Sequence, residues 1–138
     1  MRKVDQRQQG ASAVEFAVIA PLFIALLLSI VEFGMILYTK GMMTHAAREG
    51  ARYGVVFCTP RRTAGEIETE VKKYLNLSGL TSPATVTVTG AGGNPGDILD
   101  VKVSYTYSFL VLPSDINNFT AGTLPDLNLT AETVMRME

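Results

Sequence analysis

The feature that most constrains this chain is a run of uncharged residues from Phe16 to Val31, interrupted by Glu32 and resumed from Phe33 to Thr39. Taken as helix at about 1.5 Å per residue, Phe16 to Thr39 would be about 36 Å long, enough to cross a hydrocarbon core of roughly 30 Å. The run exceeds the apolar region of a cleaved secretory signal, about 7–15 residues, and no small-residue cleavage site follows it. The Ala-Ser-Ala at 11–13 lies before the run, on the wrong side. The segment therefore reads as a retained anchor. Arg2, Lys3 and Arg7 precede it and Lys40, Arg48 and Arg52 follow it, so the positive-inside count is nearly even. The short N-terminal flank and the larger remainder favour a cytoplasmic N-terminus and an exported C-terminal part.

The rest of the composition excludes more than it suggests. A net charge of −1 gives no global attraction to nucleic acid. One cysteine, Cys58, allows no intramolecular disulfide, and with one histidine there are too few soft ligands for a zinc site. His45 and Cys58 fall about 140° apart on one expected helix, which suits no nucleophile–base pair. The loop GAGGNPGD, 90–97, lacks the lysine and the following helix of a phosphate loop. The expectation is a chain that is not an enzyme, with no catalytic residue, cofactor or metal, no nucleic-acid partner and no small-molecule substrate.

Helical patterning continues beyond the apolar run. No proline occurs between Lys40 and Phe57, Ala47, Ala51 and Val55 share one face, and His45, Glu49 and Arg52 share a more polar one. One continuous helix is expected from about Ala11 to about Phe57, ended by Pro60 because the residue before proline disfavours helical backbone. Thr63 and Glu66 form a T-x-x-E capping box. Ile67, Val71, Tyr74 and Leu75 behind it make a second amphipathic helix, with Glu68 and Lys72 paired on its exposed side and Ser78-Gly79 stopping it.

The remainder alternates with period two. Val86 and Val88 share a face within 84–89. Within 98–111, Leu99, Val101, Val103, Tyr105, Tyr107, Phe109 and Val111 share another. Within 127–138, Leu127, Leu129, Ala131, Thr133, Met135 and Met137 do the same. Pro113 to Asp126 reads as an irregular loop. The expected class is α+β: a long N-terminal transmembrane helix, a short second helix, and a small three-stranded antiparallel sheet that the helices cover.

Two carboxylates and a ladder of small residues stand out. Glu15 sits at the mouth of the apolar run, where a helix N-terminus favours an acidic residue. Glu32 lies roughly 25 Å further along and reads either as an intramembrane contact or as a group that snorkels to the headgroups or is protonated. Ala46, Gly50 and Gly54 allow close helix contact. Packing on the chain's own sheet is favoured over contact with a second helix, and surface pairing of Arg48 or Arg52 with Glu49 over lipid binding.

The arrangement of basic flank, Gly10, four residues, Glu15-Phe16 and an apolar run with Pro21 resembles the processing site of type IV prepilins. With the second VEFG at 31–34 and AAREGARYG at 46–54, residues 10–54 resemble TadE-like proteins, the pilin-like components of tight-adherence pilus systems. The resemblance implies a membrane-anchored, pilin-like subunit of such a pilus or of a related secretion apparatus, cut between Gly10 and Ala11 by a prepilin peptidase. Residues 1–10 would be the leader, 11–39 the transmembrane part and 40–138 a periplasmic head. Glu15 and Phe16 would belong to the processing and assembly signal, Glu15 facing the new α-amine of a neighbouring subunit. The implied partners are the bacterial inner membrane, the peptidase, other pilin-like subunits and the assembly platform. Mature residue one would be Ala11 where conventional type IV pilins have phenylalanine. The alternatives are an unprocessed single-pass anchor carrying a periplasmic binding or accessory domain, and a general-secretion pseudopilin.

Overall fold

A computed structural model describes residues 6–78, 84–109 and 126–138. Helix α1 runs unbroken from Gln6 to Val55, through Pro21. It starts before Ala11 and stops two residues short of Phe57. It ends five residues before Pro60. The Val55 carbonyl accepts 3.1 Å from the Glu138 amide, a partner brought from the end of the last strand, so the carbonyl is satisfied without another helical turn. Cys58 thus lies beyond the helix that also carries His45.

Helix α2, Ala64–Leu77, begins with the expected capping box. The Thr63 hydroxyl accepts from the Glu66 amide at 3.4 Å, and the Glu66 carboxylate accepts from the Thr63 amide at 2.8 Å. These two bonds satisfy backbone donors that the first turn leaves without partners. Ile67, Val71 and Leu75 form its buried stripe, and Glu68 pairs with Lys72 at 2.6 Å on the outside. Ser78 caps its C-terminus; Gly79 lies outside the described residues.

Strands β1 (Thr85–Thr89), β2 (Ile98–Tyr107) and β3 (Leu127–Arg136) form one antiparallel sheet in that order. The central strand pairs Val103 with Val86 on one side and Ala131 on the other. Strand β2 ends at Tyr107, short of the expected Val111, which lies outside the described residues with most of the 113–126 loop. The β1–β2 turn needs glycine: Gly90 has φ +81°, and a Cβ there would run into the carbonyl of Ile98.

The apolar faces meet as the period-two and helical patterns require. Leu99, Val101 and Val103 from β2, Ala131 and Met137 from the β3 end, Ile67, Val71 and Leu75 from α2, and Met43, Ala47 and Ala51 from α1 form one core. Strand β2 runs antiparallel to α1. Its start, Leu99, lies against Gly54, and its end, Tyr107, reaches Glu32.

Candidate membrane and assembly segment

The first half of α1 stands clear of the head. Gly10, Ala11, Glu15 and Phe16 are exposed, as are the apolar residues Val18, Leu22, Phe23, Leu26, Leu27 and Ile30. This bare apolar helix is consistent with a single-pass membrane anchor. Nothing lies within 4 Å of the position a Gly10 Cβ would take, so no packing requires glycine there. The Gly10–Ala11 peptide bond lies inside α1.

Among the described residues, the first buried side chain of α1 is Glu32, inside the stretch that the sequence assigns to the span. Glu32 is 2% exposed and Thr39 3%, while Phe33, Leu37 and Tyr38 on the other face remain exposed. The Tyr107 hydroxyl donates to Glu32 Oε1 at 2.6 Å. Of the two readings of Glu32, snorkelling does not occur: the carboxylate turns inward, toward the sheet. Burial, followed by the hydrogen bond and charge of Glu32, pushes the Tyr107 phenol up to about 12. The sequence did not pair these residues. The one available signal was a tyrosine on an apolar strand face, because a buried phenol needs a hydrogen-bond partner.

The ladder Ala46, Gly50 and Gly54 serves the chain's own packing. A Cβ on Gly50 would collide with Val71 of α2. One on Gly54 would come within 2.6 Å of both Ile67 and Leu99. Glycine therefore lets α1 approach α2 and the sheet together. Arg52 pairs with Glu49 at 3.3 Å, as the surface reading expected.

Two further arginines were not singled out from sequence. The Arg61 guanidinium stacks over Phe57 at 4.7 Å and that of Arg62 over Tyr53 at 3.4 Å. Arg61 also donates to the Glu138 carbonyl at 2.6 Å. These contacts tie the α1–α2 connection to the end of α1. Glu49, Arg52, Tyr53, Arg62, Glu70 and Tyr74 line an open groove beside it, in which two guanidinium groups offset two carboxylates. Among the described residues, no three His, Cys, Asp or Glu side chains gather as a metal set.

The bare apolar helix, the glutamate at its mouth and the small-residue face behind it lie on one element, and that element decides the comparison. Residues 10–52 match the family of TadE-like proteins. The TadE-like segment thus covers about a third of the chain. It includes Gly10, Glu15, Pro21, Glu32 and Gly50, and stops before the α2 and sheet residues that pack on it. Comparisons with curated proteins and with solved structures give no match.

Proposed function

We propose that this chain is a membrane-anchored, pilin-like subunit that acts in assembly of a tight-adherence pilus or a related secretion apparatus. A prepilin peptidase would cut it after Gly10, leaving Ala11 as the new N-terminus. It would sit in the bacterial inner membrane with its head in the periplasm, and its partners would be other pilin-like subunits and the assembly platform. Its role would be structural, with no reaction catalysed.

The observation that carries this reading is the TadE-like match, which begins at the glycine of the cleavage pattern and extends along the exposed apolar half of α1. Cleavage requires the helix to open around Gly10, since the bond lies inside α1. Glycine lowers the cost of that opening by roughly 0.5–1 kcal/mol relative to alanine. The α-amine released at Ala11 would be mostly cationic at neutral pH, its unperturbed pKa being about 8. Glu15, four residues on and clear of the head, would be free to meet such an amine on a neighbour.

N-terminal sequencing of protein purified from membranes tests the reading. A start at Ala11 is expected. An intact Met1, or a start beyond the apolar run, would overturn it in favour of an unprocessed anchor or a secreted head.

A further inference from the structure

The head meets α1 closer to the mouth of the apolar run than a bilayer allows if the head is to stand clear of lipid. Take one boundary of the hydrocarbon core at Glu15, the charge that opens the run. The helix from Phe16 to Val31, ahead of its first buried residue, then supplies about 24 Å, some 6 Å less than a core of roughly 30 Å. Any tilt of the helix enlarges the shortfall. The missing length comes from the next turn, and Glu32 on that turn is already covered by the head.

The surface at this level fits lipid. On the uncovered side of α1, Phe33 is 62% exposed, Leu37 57% and Tyr38 50%. On the covered side, Tyr107 closes over Glu32, Phe109 packs edge-on against Tyr107 with ring centroids 6.1 Å apart, and Leu127, 38% exposed, pairs with Tyr107 across the strands. Tyrosine gathers where a bilayer meets water, because its amphipathic ring suits the headgroup layer, and exposed Tyr38 lies at this level. A carboxylate at this depth is costly against lipid, which gives a reason for Glu32 to face the sheet and take a phenolic hydrogen bond.

We propose that the membrane-proximal rim of the head, where half-buried Phe109 and exposed Leu127 flank the buried Tyr107, seats in the headgroup layer of the bilayer that α1 spans. The head then binds a lipid surface directly, and the Glu32–Tyr107 bond lies at the lipid boundary. The proposal rests on α1 crossing the membrane, and on neither processing nor pilus assembly.

The test is depth measurement by spin labels on the full chain, in vesicles of phosphatidylethanolamine and phosphatidylglycerol. In a Cys58→Ser background, single labels are placed through Ser108→Cys and Leu127→Cys at the rim, Asn94→Cys in the β1–β2 turn and Leu22→Cys in mid-span. Collision rates with oxygen and with a water-soluble nickel chelate are compared. At both rim sites the ratio of oxygen to chelate collisions is expected to be several-fold above that at Asn94. Rim sites as open to the chelate as Asn94, with Leu22 protected, would overturn the proposal while leaving the anchor intact. An unprotected Leu22 would overturn the anchor and the proposal together. Rim sites closed to both probes and broadened by neighbouring spins would show that a second copy covers the rim, and would also overturn it.

Discussion

The hydroxyl of Tyr107 donates a 2.6 Å hydrogen bond to Glu32, 75 residues earlier in the chain. The contact joins the far end of β2 to the outer part of the apolar helix, and both side chains are almost wholly buried. Removing the donor costs more than removing the pair, because a buried carboxylate that loses a hydrogen bond keeps its desolvation penalty. Tyr107→Phe should destabilise the head by about 1–3 kcal/mol. Tyr107→Phe combined with Glu32→Leu should recover much of that loss. Urea unfolding of the full chain in detergent micelles, set out as a double-mutant cycle, measures the coupling. Additive effects would show that the bond contributes nothing to stability.

Gly50 and Gly41 predict opposite outcomes for one substitution. A Cβ at Gly50 meets Val71, whereas nothing lies within 4 Å of one at Gly41. Gly50→Ala should therefore cost about 1–3 kcal/mol, as overpacking does. Gly41→Ala should stabilise α1 by about 0.5–1 kcal/mol through helix propensity. Pairing Gly50→Ala with Val71→Ala should relieve the clash in the same unfolding assay, although Val71→Ala alone is destabilising.

The start of α2 should respond to acid. The Glu66 carboxyl is held below its ordinary range chiefly by the Thr63 amide, then by the Thr63 hydroxyl, with a smaller contribution from the charge of Arg62. Its folded pKa is depressed, so the stability it contributes is full above the ordinary carboxylate pKa and is lost as pH falls through the lowered value. Carbon-detected NMR should show Glu66 titrating below the free-carboxylate range, with protection of the first-turn amides of α2 falling in step. Thr63→Ala should move that titration part of the way back, because the backbone donor remains, and should cost about 1 kcal/mol.

Glu15 lies on the bare part of α1, away from the head. On the proposed function, Glu15→Gln should leave head stability unchanged while reducing processing after Gly10 or incorporation into an assembly several-fold. Mass spectrometry of the N-terminus and the pelleted pilus fraction read the two effects. Normal values for both would remove Glu15 from the assembly signal.

Much of this fold was legible in the chain because the signals are local. The uncharged run marked the exposed apolar half of α1, T-x-x-E marked the start of α2, and strict alternation in 98–107 marked the buried face of β2. Each depends on spacing within a few residues, which backbone geometry converts directly into a face or a cap. The contact of the Glu138 amide with the Val55 carbonyl at the end of α1 is not legible in the same way, because no local rule brings Glu138 to Val55.

The sequence by itself determined that an apolar helix long enough to span a bilayer precedes an α+β head, and that its opening residues carry a prepilin-like pattern. The tertiary structure alone decided what the second carboxylate does and whom the glycines serve. Glu32 could have faced lipid, water or another subunit. It faces Tyr107 because the antiparallel course of β2 along α1 carries that phenol to the same level. Gly50 and Gly54 could have packed a second helix from another chain, but Val71, Ile67 and Leu99 fill that space. Periodicity specifies which side of an element is apolar; which partner covers that side depends on contacts between residues far apart in the chain.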